Sequence, residues 1–193
     1  IATTLAQLVG DVFGLPPERI RIVLGDTDRG TGFGSAGSRS IFTGGSAVRG
    51  GSEQAMERAR ALAAGELEVA PADLAYAAGK FTVRGTDLKV DLFDLAGRQP
   101  QGEIALDHTQ RVSGPTWPNG CHVCEVEVDP DTGAVAVVAY ASVNDIGRVI
   151  NPLIVRGQLD GGAVQGLGQA LCEAVAHDAE SGQLLTGSLM DYA

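Results

Sequence analysis

The sequence predicts an α+β fold, a mixed sheet with helices packed against it. Three observations predict it. Apolar residues recur at helical spacing over 2–13, 46–64 and 153–176. Short alternating runs bounded by turn residues read as strands, most clearly a hairpin across 121–142. The first 64 residues run helix, strand, glycine-rich loop, helix, which is neither an all-β nor a bundle pattern.

In the first helix, Leu5, Leu8, Val9, Val12 and Phe13 fall on one face, and Gly14-Leu15-Pro16-Pro17 stops it. Arg19 to Leu24 alternates Arg and Ile before Val23-Leu24 and predicts a strand, with Gly25-Asp26-Thr27-Asp28 as its turn. Residues 30–45 are rich in Gly, Ser and Thr. Helical character returns from Ser46 to Ala64 and ends at Gly65. Pro71-Ala72-Asp73-Leu74 and Ala78-Gly79-Lys80 read as turns. Phe81-Thr82-Val83 and Leu88-Lys89-Val90 read as strands, separated by a turn at Gly85-Thr86-Asp87. A short helix is expected from Asp91 to Ala96, and a connecting loop over 99–116. The hairpin pairs His122–Val128 with Ala134–Ser142 around Asp129-Pro130-Asp131-Thr132-Gly133, where Pro presets φ and Gly takes φ > 0. Asn144 to Gly147 and Asn151-Pro152 turn the chain into a long helix, Leu153 to Ala176. That helix carries Gly157, Gly161, Gly162, Gly166 and Gly168, at about 0.5–1 kcal/mol each. They make sense only where a backbone or a ligand approaches closely.

Composition narrows the function. The 193 residues suit one domain with a core. A net charge of −10, with no cluster of Lys and Arg, argues against a nucleic-acid surface. No apolar run approaches the roughly 18 residues of a membrane span. Three cysteines, Cys121, Cys124 and Cys172, make a poor disulfide framework, and the reading is a cytoplasmic chain with reduced thiols. The chain opens on Ile1-Ala2-Thr3-Thr4 directly into a helix and stops at Ala193 without a polar tail, so both ends read as internal positions of a larger protein.

Several motifs bear on chemistry. Gly34-Ser35-Ala36-Gly37-Ser38-Arg39-Ser40 precedes a helix. Small residues let backbone N–H groups point outward, serine hydroxyls add donors, and the helix N-terminus adds partial positive charge, which suits a phosphate or a polar ring edge. Composition alone favours an ordinary flexible loop. Neither a Walker ending nor a dinucleotide fingerprint is present. Cys121 and Cys124, three apart on a strand, face opposite ways and read as ordinary cysteines. His108, His122 and His177 are not spaced as metal ligands. Gln158, Gln165 and Gln169 fall near one helical face, where an amide could read a heterocycle edge; polar surface is the equal alternative. Asp145 reads as a turn residue bonding its own backbone. Glu125 and Glu127 read as the solvated face of the hairpin.

Together, segments 25–40 (GDTDRGTGFGSAGSRS), 124–152 (CEVEVDPDTGAVAVVAYASVNDIGRVINP) and 157–171 (GQLDGGAVQGLGQAL) resemble the large, molybdenum-cofactor-binding subunit of the xanthine dehydrogenase, aldehyde oxidase and carbon monoxide dehydrogenase family. The likeness runs through nearly all of the chain. It implies a partial molybdopterin-binding domain over 1–193, and molybdopterin or molybdopterin cytosine dinucleotide as cofactor. It implies that Gly37, Ser38, Arg39 and Ser40 contact the pterin or its phosphate and that Gln158 lies at the cofactor. It places Thr3 where the family has the Thr following its Gly-Gln-Gly loop; that loop, and the terminal catalytic Glu, fall outside these residues. No residue here is assigned as the catalytic base or as a metal ligand. The implied partners are the remainder of the molybdenum subunit and iron–sulfur and FAD subunits or domains. The implied reaction is hydroxylation of a heterocycle or aldehyde-type small molecule with water as oxygen source. Two other readings compete: a remnant of the same fold that binds no metal, and a generic phosphate or nucleotide module built on 34–40.

Overall fold

The computed structural model describes residues 1–30, 32 and 34–192, so Thr31 and Phe33 of the glycine-rich stretch lie outside the described residues. The chain divides into two compact units, Ile1–Thr116 and Trp117–Ala193.

The first unit is built on two helices and a small sheet. Helix α1 spans Ala2–Phe13 and ends at Gly14, whose φ of 56° closes the last turn with its N–H on the Gly10 carbonyl. A five-residue π-helical turn, Ile41–Gly45, runs without a break into α2, Ser46–Glu66. Helix α2 buries Ser52, Met56, Ala59 and Ala63 at spacings of four, three and four, with Ala64 beside them. Gly65 does not stop it; Leu67 still donates to Ala63 and Val69 to Ala64, and the residue that turns left-handed is Glu68, at φ 53°.

Strands β1 (Leu74–Ala77), β2 (Lys80–Val83) and β3 (Lys89–Asp91) form an antiparallel sheet in that order. Pro71–Asp73 is a 3-10 turn, and the strand that begins at Leu74 was hidden behind it in the sequence. The sheet turns Leu74, Phe81, Val83 and Val90 onto α2. Helix α3, Leu92–Gly97, adds Leu92 and Leu95; it starts where the Asp91 carboxylate accepts from the Phe93 N–H at 2.9 Å. Phe81 and Leu95 are wholly buried. Arg60 reaches over this core to donate to the Leu74 carbonyl at 2.9 Å.

The predicted strand over 19–24 is not one. Pro17–Arg19 is a 3-10 turn, and residues 20–24 join no ladder among the described residues. Ile20 has extended dihedrals, but alternation supplies only a face; a strand also needs a partner for its N–H and C=O groups.

The second unit is a long antiparallel hairpin, β4 (Asn119–Val128) with β5 (Val135–Asp145), followed by α4 (Pro152–Leu171). The register shifts between Glu125 and Val126, where β5 carries one extra residue, Val138. Glu125 and Glu127 are exposed, but so is every other residue of β4, so their exposure does not single out a solvated face. Helix α4 starts at an Asn151 cap and stops five residues before the predicted Ala176, because the Gly168 carbonyl takes the N–H groups of both Cys172 (2.9 Å) and Glu173 (2.8 Å). No described residue of this unit is buried. The fold class is α+β, as the sequence indicates, and every ladder among the described residues is antiparallel.

Candidate functional site

In the first unit the predicted site residues gather at the start of a helix. Gly37 and Ser38 are both left-handed, at φ 59° and 54°, and form the turn that delivers Ser40 into helical geometry. A serine tolerates this region poorly, so Ser38 is a locally strained residue in an exposed loop. The Ser35 and Ser40 hydroxyls meet at 2.7 Å. Thr43 closes the first turn through its N–H (2.8 Å) and hydroxyl (2.9 Å), both donated to the Arg39 carbonyl. No side chain caps this helix N-terminus, so its leading N–H groups point outward as donors.

Thr3 belongs to the same end of the unit. Leu8 of α1 lies so close to Gly45 that a Cβ there would come within 3.3 Å of its Cδ1. Further along, Val12 of α1 lines the same cleft as Gly50 and Met56 of α2. The contacts advance in step, so the helices run the same way. Thr3 lies five residues before Leu8, as Ser40 lies five before Gly45. The N-terminus of α1 also lacks a side-chain cap.

In the second unit Gln158 lines an open groove of about 440 Å³ between α4 and the hairpin. The helix contributes Leu159, Gly162, Ala163, Gly166 and Leu167, and the hairpin contributes His122, Cys124 and Tyr140. Gln165 and Gln169, predicted on the face of Gln158, do not line it. The spacing explains this: the lining residues centre about a quarter turn from the glutamines, and Gln158 alone stands at the groove's edge.

The groove holds a polar network that sequence reasoning missed. His122 Nε2 lies 3.2 Å from Asn144 Oδ1, and His122 Nδ1 lies 2.7 Å from the Tyr140 hydroxyl. The amide oxygen can only accept, so Nε2 carries the proton and Tyr140 donates to Nδ1. A Cβ on Gly120 would meet Asn144 Oδ1 at 2.7 Å, so a side chain there would displace that amide. The signal lies in the register: His122 is opposite Ser142 and Cys124 opposite Tyr140, which puts all of them and Asn144 on one face.

Other candidates resolve simply. The Asp145 carboxylate accepts from the Gly147 N–H at 3.0 Å, as a turn residue does. All three cysteines are free. Among the described residues there is no group of three His, Cys, Asp or Glu able to hold a metal ion, and no helix long and apolar enough to cross a membrane. The Tyr192 hydroxyl donates to Glu173 at 3.0 Å, and that carboxylate holds its pKa above the usual tyrosine value.

The first unit thus presents two helix starts without a side-chain cap, and the second an amide-edged groove. The chain belongs to the molybdopterin cofactor-binding domain family, which it matches over residues 1–193. It is 40% identical to the 6-hydroxypseudooxynicotine dehydrogenase complex subunit gamma of Paenarthrobacter nicotinovorans, covering 100% of this chain and 25% of that one. It is 38% identical to the nicotine 6-hydroxylase large subunit of the same organism, over 98% of this chain and 25% of that subunit. The fold matches reconstituted CO dehydrogenase from Oligotropha carboxidovorans with a TM-score of 0.84 at 31% identity, covering 99% of this chain and 25% of that one. The chain thus spans about a quarter of the length of the relatives it matches.

Proposed function

We propose that the chain cradles molybdopterin, or its cytosine dinucleotide, within a molybdenum hydroxylase that acts on a nitrogen heterocycle. The observation that carries this is the Gly37-Ser38 left-handed turn feeding an uncapped helix start at Ser40. The residues fit the group. A phosphate accepts hydrogen bonds only, and this end of the unit offers backbone N–H groups, the Ser35–Ser40 hydroxyl pair and two helix N-termini. Gln158 suits the other part of the cofactor, because an amide donates and accepts along a ring edge. The phosphate therefore falls to Gly37, Ser38, Arg39, Ser40 and Thr3, and the ring edge to Gln158. When bound, the cofactor supplies the molybdenum centre at which a substrate carbon is oxidised; these residues hold and orient it.

The substrate class follows from the relatives at 40% and 38% identity, whose names refer to nicotine or a nicotine derivative. The partners we propose are the remainder of the molybdenum subunit and iron–sulfur and FAD subunits or domains. The second unit supports a need for cover: with no buried residue among those described, and with Val143, Leu153 and Val164 largely exposed, a hairpin and one helix make no core of their own.

The test is Gly37→Val in the complete molybdenum subunit, assembled with its partners. A β-branched side chain at φ 59° costs about 1–3 kcal/mol locally and reshapes the turn. Molybdenum and pterin per protein should fall several-fold while circular dichroism stays unchanged. Full occupancy in the variant would refute the assignment of the loop. No molybdenum in the unsubstituted protein would favour a fold that has lost its cofactor.

A further inference from the structure

We propose that Tyr140, fixed by His122 and Asn144, is a second binding residue for the ring part of the cofactor, in the groove that Gln158 edges. The proposal rests on the reading of Gln158 as a cofactor contact.

The His122 network is more ordered than an exposed hairpin needs. Both imidazole nitrogens are engaged, one by the Tyr140 hydroxyl and one by the Asn144 amide, and fixing these rotamers opposes side-chain entropy. Gly120 leaves the room in which Asn144 lies. This arrangement fixes what Tyr140 can offer. Its single hydroxyl hydrogen goes to His122 Nδ1, so toward the groove it presents lone pairs only. The Gln158 amide, lining the same groove, can both donate and accept. An acceptor beside a donor–acceptor amide complements the edge of a pterin or cytosine ring, where N–H groups alternate with ring nitrogens and carbonyls. The surfaces between them suit a flat ring: Leu159, Ala163 and Leu167 are apolar. Gly162 and Gly166 leave open space on the same side, since a Cβ on either would meet no described atom within 4 Å. His122 is then a positioning residue and Tyr140 a binding residue.

The experiment uses the complete enzyme with its partner subunits. Pterin and molybdenum per protein are measured, with the rate of pterin release in mild urea and the Mo(V) paramagnetic resonance signal. Tyr140→Phe, which removes one oxygen, should release pterin about 3- to 10-fold faster, the size of one lost hydrogen bond. His122→Ala should do the same, and the double variant no more than either alone, because both act through the single acceptor at Tyr140. His122→Gln, which keeps a donor toward Asn144 and an acceptor toward Tyr140, should restore most of the retention. Val143→Ala, on the opposite face of the hairpin, should leave the release rate and signal unchanged. If Tyr140→Phe releases pterin at the parent rate while Gln158→Ala accelerates release, the proposal is wrong and the reading of Gln158 stands. If Gln158→Ala also releases at the parent rate, the reading beneath it is wrong and the proposal goes with it. Should His122→Ala fail to assemble, the single-atom change at Tyr140 still decides.

Discussion

Gly50 and Gly51 lie in the second turn of α2, inside the helix where glycine is a poor former, and the structure gives a reason that a paired substitution can test. A Cβ on Gly50 would stand 2.9 Å from His108 Nε2 and 3.1 Å from Gln110 Oε1; one on Gly51 would stand 3.3 Å from the His108 Cβ. His108 lies against this bare stretch of helix, with Nδ1 3.1 Å from Gln54 Oε1 and Nε2 3.1 Å from Gln110 Oε1. Gly50→Ala has two opposed effects. Helix propensity favours alanine by about 1 kcal/mol. Against that, the methyl pushes the ring away and breaks the one hydrogen bond that a neutral imidazole can donate to these two amide oxygens, about 1 kcal/mol, and crowds a packed side chain by about 1 kcal/mol. The net is a loss of about 1 kcal/mol. In a His108→Ala background the ring is gone, the end of the Gln110 side chain can swing aside, and the same change should stabilise by about 1 kcal/mol. The sign therefore reverses, with a coupling of about 2 kcal/mol between the two positions. Urea unfolding of the 193-residue chain and its three variants, monitored by circular dichroism, measures this. Equal shifts in both backgrounds would show that His108 does not account for Gly50.

Three further outcomes are expected. Phe81→Ala empties a fully buried site between sheet and α2 and should destabilise the first unit by about 3–5 kcal/mol, seen as a lower urea midpoint without a change in the hairpin's amide exchange. Tyr76→Phe removes the hydroxyl that donates to the Phe13 carbonyl at 2.8 Å and should cost about 1 kcal/mol. Burial, then the charge of Asp91, raise the Tyr76 pKa against a smaller lowering by the Gly79 backbone. The parent should therefore lose stability as pH rises from the unfolded tyrosine value of about 10 through the higher folded one, a loss the Phe variant should lack. The Asp129 carboxylate is held below its usual pKa by the N–H groups of Thr132 and Asp131, at 3.0 and 2.8 Å. Its contribution to the hairpin turn is full above the unfolded value of about 3.9 and disappears as pH falls through the lower folded one. The Asp131 and Thr132 amide resonances should titrate there, and Asp129→Asn should abolish the shift.

Much of the fold was legible because local rules and packing agreed. Helix α1, the Asp129–Gly133 turn and the Asn151 cap are each fixed by residues within a few positions of one another. The two misread strands turn on pairing that neighbouring residues do not reveal. Residues 20–24 alternate like a strand yet join no ladder among the described residues. Leu74 begins a strand behind a Pro-Ala-Asp turn because Val83 receives it. The site divides in the same way. The Gly37–Ser40 loop announces itself in composition, and the structure adds the paired left-handed residues and the helix start. The His122–Tyr140–Asn144 network spans 22 residues across the hairpin and has no spacing to recognise; only the cross-strand register reveals it.

The glycines of α4 show how far such reading extends. Their number suggests close approach, and one of the five has its cause inside the chain: a Cβ on Gly168 would meet Glu173 Oε1 at 2.8 Å, and that carboxylate is in turn held by Tyr192. A Cβ on Gly157, Gly161, Gly162 or Gly166 would meet no described atom within 4 Å. Four such glycines weaken a helix by about 2–4 kcal/mol in all, a large share of the roughly 5–15 kcal/mol that stabilises a domain. A unit with no buried residue among those described has little to set against that. The proposed function accounts for both deficits. A cofactor and partner surfaces would lie close along α4, on the groove side at Gly162 and Gly166 and on the opposite side at Gly157 and Gly161. The groove side is where Gln158, Tyr140 and the proposed ring contact stand, so the residues that weaken the helix are those that admit what it binds.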